Sequence, residues 1–255
     1  MKVTIITVVY NRASTIERAI QSVLNQSWKN VEYIVVDGAS TDGTMEIVNQ
    51  YKKQIALIVS EKDKGMYDAL NKGIKLASGD IVGILHADDE FTNTTILEQV
   101  VQLFQSNSKI DCVYGDVGFV KEDAPDKIVR YYSSAQFKPS LFKYGFMPAH
   151  PTFFCYKKYF EQYGFYRTDM DIAADFDLLV RFLKINNLKS MYLANMLVKM
   201  NLGGKSTNGI SSTIKINKEL KQILKEHKLP SGYLRLYARY FLKVQEYWKI
   251  KSKVK

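Results

Sequence analysis

The chain has 255 residues, 46% hydrophobic and 24% charged, an ordinary make-up for a globular protein with room for one large core. No run of about 18 apolar residues occurs, so no transmembrane helix is expected. The formal net charge of +10 is lopsided: residues 215–255 hold 12 Lys or Arg against 3 Glu, leaving residues 1–214 near neutrality, which argues against a nucleic-acid-binding main domain.

The opening "MKVTIITVVY" lacks a small-residue cleavage site and reads as a first strand (3–10) instead of a signal peptide. "STIERAIQSVLNQS" (14–27) places Ile16, Ala19, Ile20, Val23 and Leu24 on one helical stripe, with Ser14 as N-cap and Glu17 three residues on. "VEYIVVD" (31–37) is a second strand, and "STDGTMEIVNQY" (40–51) starts a second helix, capped by Ser40 or Asp42. "IALIVS" (55–60), "MYDALNKGIKLA" (66–77) and "DIVGILHA" (80–87) read as strand, helix and strand. "NTTILEQVVQLFQ" (93–105) is another helix and "IDCVYGDVGFV" (110–120) another strand. Such alternation predicts parallel β-α-β units with right-handed crossovers.

Ligands gather outside the carboxyl ends of parallel strands. That rule brings Tyr10, Asn11, Asp37, Glu61, Asp63, His86, Asp88 and Asp89 to one sheet edge. Adjacent Asp88 and Asp89 are like charges at a strand exit, which calls for a cation.

The second half is less regular. Residues 124–132 suggest a hairpin arm, and 138–156 are aromatic with Pro139, Pro148 and Pro151 as breakers. "IAADFDLLVRFLKI" (172–185) is amphipathic, and 190–206 reads as a strand with a glycine turn. From 213 onward the chain reads as helical. Cys112 and Cys155 are too few for a disulfide scaffold and are expected to be reduced thiols in the cytoplasm.

"VTIITVVYNRASTIERAIQSVLNQSW", "EYIVVDGASTDGT", "DKGMYDALNKGIKLASGDIVGILHADDEF" and "AADFDLLVRFL", in that order, resemble family 2 glycosyltransferases over about residues 1–206. "GMYDALNKG" and "LGGKS" resemble a bacterial branch that builds capsule, exopolysaccharide or lipopolysaccharide chains. The resemblance implies a GT-A (Rossmann-like), mostly parallel α/β sheet flanked by helices. It divides the chain into a domain over 1–210 (nucleotide-sugar half 1–118, acceptor half 119–210) and a basic amphipathic helical tail over 211–255.

The same resemblance implies nucleotide binding by Val8, Tyr10, Asn11, Asp37, Lys64, Gly65, His86, Ala87 and Asp88, with Asp37 reading the base and Tyr10 packing on it. His86 stands where the family's first aspartate usually lies. Asp88 matches the aspartate that holds Mn²⁺ or Mg²⁺ on the diphosphate. Asp175 matches the general base, with Ala174 where a Glu often stands. Asp177 lies roughly 200° further round the helix and points elsewhere. Asp68, Asn71, Asp89, His150 and Lys205 are candidates for sugar or acceptor contacts.

Some readings stay open. Lys64-Gly65 before a helix suits a phosphate or is a surface turn. "LGGKS" (202–206) is a lid or a hairpin turn. In the tail, Tyr233, Tyr237, Tyr240, Phe241, Val244 and Trp248 form a stripe beside Arg235, Arg239 and Lys243. It lies on an anionic membrane, or packs on its own domain or on a partner chain. The implied activity is inverting transfer from a UDP-sugar, with GDP- or dTDP-sugars as alternatives, to a lipid-linked or polysaccharide acceptor at the inner membrane face. The rival readings are a nucleotidyltransferase and a non-catalytic nucleic-acid-binding module.

Overall fold

The computed structural model describes residues 1–203 and 209–239. Nine strands form one sheet: β1 Val3–Val9, β2 Val31–Asp37, β3 Leu57–Ser60, β4 Ile81–Ile84, β5 Glu90–Phe91, β6 Cys112–Val120, β7 Arg130–Tyr132, β8 Phe154–Tyr156 and β9 Ser190–Asn201. The helices are α1 Ile16–Leu24, α2 Thr44–Gln50, α3 Met66–Leu76, α4 Ile96–Ser106, α5 Lys157–Tyr163, α6 Ala174–Leu179 and α7 Gly209–Glu226.

The strand order is β3-β2-β1-β4-β8-β6-β9-β5. β3, β2, β1 and β4 run parallel, with Val9 opposite Asp37 and Asp37 opposite Ser60. β1 is buried along its whole length, which is why "VTIITVV" is continuously apolar and β-branched, with two buried threonines. Beyond β4 the sheet is mixed. β8 enters antiparallel between β4 and β6, and β9 runs parallel to β6 on its other edge. The hairpin-arm segment supplies β7, antiparallel to β6.

Alternate residues of the sheet feed two cores. One holds Ile6, Val36, Leu70, Ile74, Phe176 and Phe182; the other holds Ile5, Val35, Ile20, Val100 and Phe154. Gly83 faces the second of these cores: a Cβ there would sit 2.4 Å from the Phe154 ring and 3.2 Å from Ile5. Gly83→Ala is expected to destabilise the fold by about 1–3 kcal/mol, seen as a lower urea midpoint at unchanged slope.

Three expectations are corrected. Ser14 does not cap α1; its hydroxyl donates to Glu122 instead, and the helix begins at Ile16. The boundary at 210/211 cuts through the start of α7, whose Leu220, Ile223 and Leu224 belong to the main core. Arg239 does not join a basic outer face. It is buried, donating to the Gly145 carbonyl (3.2 Å) and Asn217 Oδ1 (3.1 Å). Residues 233–239 are helical, with Leu236 buried and Tyr233, Leu234 and Tyr237 exposed. Lys205, Tyr240, Phe241, Lys243, Val244 and Trp248 lie outside the described residues. Among the described residues no helix is long and apolar enough to cross a membrane.

Candidate active site

The carboxyl ends of β1, β2 and β3 make the first part of the site. Val8 is buried in β1, and Tyr10, just past it, is 62% exposed. Asn11 takes a left-handed φ of 50°, with Ser40 Oγ accepting from its backbone N–H at 2.8 Å. Its side-chain oxygen accepts from the Thr41 N–H at 2.9 Å, so the loops after β1 and β2 are stitched together.

Asp37 has no exposed surface. Its carboxylate accepts from the Ser40 N–H (3.1 Å) and the Ser60 hydroxyl (2.6 Å). Asp37 thereby ties the turn after β2 to the end of β3. Asp63, its side chain largely buried, lies at the same edge. A Cβ on Gly38 would lie 3.2 Å from its Oδ2 and 3.3 Å from the Tyr10 ring. Asp63 is held by Lys72 at 2.5 Å, and the same ammonium reaches Glu61 at 2.8 Å and Asp68 at 3.7 Å. This hub of carboxylates raises the Lys72 pKa. Sequence reading brought Asp63 to this edge without a role and passed over Lys72.

Lys64 and Gly65 are exposed at the start of α3, and the Lys64 N–H donates to Asp68 at 3.0 Å. The Asn71 amide is buried and bonded to the Tyr166 backbone, donating to the carbonyl (2.8 Å) and accepting from the N–H (2.9 Å).

The second part lies past β4. His86 and Asp88 are partly exposed, while Ala87 and Asp89 are buried. The turn is closed by the Asp89 N–H on the His86 carbonyl at 3.0 Å. Asp88 and Asp89 both border a small pocket with Thr15, Lys199 and Asn201; Asp89 is the buried one, and its Oδ2 has no hydrogen-bond partner. Burial, and then the charge of Asp88, push the Asp89 carboxyl well above the usual range.

Asp88 is thus the member of the pair open to a ligand. Among the described residues no three His, Cys, Asp or Glu side chains converge to cage an ion. A hard cation held by one carboxylate and completed by phosphate oxygens and water fits that donor set.

From this turn a row of side chains runs to α6. The His86 and His150 rings stack at 6.0 Å, and His150 Nε2 is 2.7 Å from the Tyr166 hydroxyl. Tyr166 stacks on Tyr67 at 5.8 Å, and the Tyr67 hydroxyl donates to the Ile172 carbonyl, three residues before Asp175. Burial lowers both histidines, His150 to about 3, so both are neutral near pH 7. Burial and then the charge of Asp175 raise both tyrosines.

Asp175 is partly exposed in the first turn of α6 and accepts from the Phe176 N–H at 2.7 Å. Burial pushes its carboxyl up to about 7, with a further push from Glu219. Asp177 faces the other way, buried against Arg181 (2.8 Å) and His227 (2.9 Å). Sequence reading missed Tyr67 and Tyr166, which look like ordinary core aromatics. It also missed buried Asp116, which accepts from the Tyr192 hydroxyl and Ser134 N–H (both 2.7 Å) and from the Tyr131 hydroxyl.

A relative from Mycobacterium bovis named PGL/p-HBAD biosynthesis glycosyltransferase is 28% identical over 216 residues, covering 84% of this chain and 80% of its own. The Escherichia coli protein named UDP-Glc:alpha-D-GlcNAc-diphosphoundecaprenol beta-1,3-glucosyltransferase WfaP is 28% identical over 233 residues, 88% of each chain. Among solved structures, S. aureus TarS 1–349 superposes with a TM-score of 0.67 at 16% identity, and the match spans 88% of this chain and 65% of that one. The mannosyltransferase PcManGT from Pyrobaculum calidifontis, in complex with GDP-Man and Mn²⁺, gives 0.64 at 24% identity, over 89% of this chain and 64% of that one. The two solved structures show the GT-A fold. The family model described as "Glycosyl transferase family 2" matches residues 4–164, and with the site's layout it identifies this chain as a family 2 glycosyltransferase.

Proposed function

We propose that the protein transfers a sugar, with inversion, from a nucleotide-sugar donor (UDP-linked first, GDP- or dTDP-linked as alternatives) to a hydroxyl of a lipid-linked or polysaccharide acceptor. The carrying observation is Asp175, a carboxyl raised to about 7 at the end of the side-chain row that starts beside Asp88. A general base works best with a pKa near the working pH.

In this reading Tyr10 and Asp63 border the base. Lys64 and the first turn of α3 face the phosphates. Asp88 would hold Mn²⁺ or Mg²⁺, which when bound offsets charge on the leaving diphosphate. Asp175 takes the proton of the acceptor hydroxyl, whose oxygen attacks the anomeric carbon opposite the leaving group. The bond to the phosphate oxygen breaks, and the nucleoside diphosphate departs. The neutral His150 and Tyr166 wall the space between the two ends.

UDP and UDP-GlcNAc in complexes of TarS, and GDP-Man with Mn²⁺ in PcManGT, support a nucleotide-sugar donor. The diphosphoundecaprenol in the name of WfaP supports a lipid-linked acceptor. Exposed Tyr233, Leu234, Arg235 and Tyr237 support contact with the inner face of a membrane.

A screen of nucleotide sugars with Mn²⁺ or Mg²⁺, reading released UDP, GDP or dTDP, tests the proposal. Release of pyrophosphate instead would mark a nucleotidyltransferase. With the matched donor, kcat is expected to climb with pH through a midpoint near 7 as Asp175 loses its proton. A flat profile between pH 5.5 and 8.5 would remove Asp175 as the titrating base.

A further inference from the structure

Asp175 lies in the first turn of α6, and its N-cap residue, Ala173, makes no side-chain cap. The segment that leads into the helix is held from elsewhere in the chain. Glu219, buried in the middle of α7, accepts from three consecutive backbone N–H groups: Asp171 (3.2 Å) with Oε1, and Ile172 (3.1 Å) and Ala173 (2.8 Å) with Oε2. Lys215, one turn earlier, pairs with the Asp171 side chain. His227, just past α7, holds Asp177 on the far side of α6 at 2.9 Å, and Leu220, Ile223 and Leu224 share its core. α7 thus holds the segment that leads into α6 and, through Asp177, α6 itself.

We propose that α7 is part of the catalytic apparatus and that Glu219 is a positioning residue, fixing the backbone turn that aims Asp175 at the acceptor hydroxyl. The proposal rests on Asp175 as general base. Its mechanism is steric and electrostatic at once. The carboxylate clamps residues 171–173, and a 1 Å misplacement of a catalytic group costs up to about 10²-fold in rate. It also adds negative charge beside Asp175, on top of burial. The other ionisable groups facing Asp175 are Tyr67 from α3 and Tyr166 from the segment before α6. Both phenols stay neutral over the working range, so Glu219 is the charged neighbour able to move the titration.

The test compares Glu219→Gln with the full-length parent by kcat, donor KM and the pH–rate profile. Glu219→Gln keeps one acceptor oxygen and removes the charge. The expected result is a kcat lower by about 10-fold or more, an unchanged donor KM, and an acidic limb moved to lower pH. Gly83→Ala, which weakens the core at β4 and not at α6, serves as the structural control and leaves the limb in place. Parental kcat and limb in Glu219→Gln overturn the proposal. So does a lowered kcat with an unmoved limb, which marks a merely structural cap.

If Glu219→Gln fails to fold, Glu219→Asp replaces it, keeping the charge but withdrawing it by one methylene. Lowered kcat at parental donor KM then supports positioning, and parental kcat overturns it. Asp175→Asn separates the two readings: full transfer by that variant sinks the base assignment itself, whatever Glu219→Gln does.

Discussion

Asp175→Asn is expected to cut sugar transfer by about 10²–10⁴-fold while leaving donor affinity at the parental value, as read by single-turnover kinetics and calorimetry with the same nucleotide sugar. The amide is nearly isosteric with the carboxyl but cannot take the acceptor proton at any pH. The same substitution is expected to raise stability at alkaline pH. Burial lifts the folded-state carboxyl from its ordinary 3.8 to about 7, so the folded protein binds its proton more tightly than the unfolded chain. Protonation therefore favours folding below pH 3.8. That contribution is lost between 3.8 and 7 as the unfolded chain gives up its proton, and it is gone above 7. At pH 8 the parent carries a poorly solvated charge that the amide lacks, a cost of at most about 4 kcal/mol from the shift of the carboxyl. A melting temperature several degrees higher for Asp175→Asn at pH 8, and little changed at pH 4, would show a site that sacrifices stability for a reactive base. Equal melting at both pH values would mean that Asp175 is solvated and not tuned.

Strong local signals made the first half of this protein readable. β1 and β2 are short β-branched runs bounded by polar turns, and α3 was placed over 66–77 and is found at Met66–Leu76. The edge rule correctly brought Tyr10, Asp63 and Asp88 to the carboxyl ends of parallel strands. What it lacked was depth. Nothing in "VVDGAS" says that Ser40 and Ser60 will consume Asp37, since Ser60 is 23 residues away. Nothing in "HADD" says which of two adjacent aspartates turns inward; the choice follows from the turn closed on His86. β8 is three residues long and pairs with strands on both sides, so its pattern has no period to detect. Cys112 and Cys155 lie opposite each other there as buried free thiols, 3.1 Å apart, a pairing made by the sheet and invisible in spacing. The Glu219 clamp spans 46–48 residues and joins a charged helix, read as a tail, to the segment just before the base.

The unequal burial of the aspartate pair leads to the second large effect. Asp88→Ala is expected to weaken Mn²⁺-dependent binding of the donor's nucleoside diphosphate by ~10²-fold or more, because a carboxylate–cation–phosphate bridge is worth several kcal/mol. Binding in EDTA should be little changed, since the base and ribose contacts remain. Asp89→Asn separates the two side chains. Asp89 is buried against Thr15 and Asn201, and its environment already favours the neutral form, so an amide there should keep the metal dependence. Titration of UDP into each variant, with Mn²⁺ and with EDTA, gives four numbers that decide the assignment. Loss of the Mn²⁺ effect in Asp88→Ala alone places the cation on Asp88. Loss in both variants makes the pair a joint ligand, and the inward turn of Asp89 would then have to reverse when the diphosphate binds. Parental Mn²⁺ enhancement in Asp88→Ala would mean that the cation is held elsewhere, and the strand exit past β4 would lose its role.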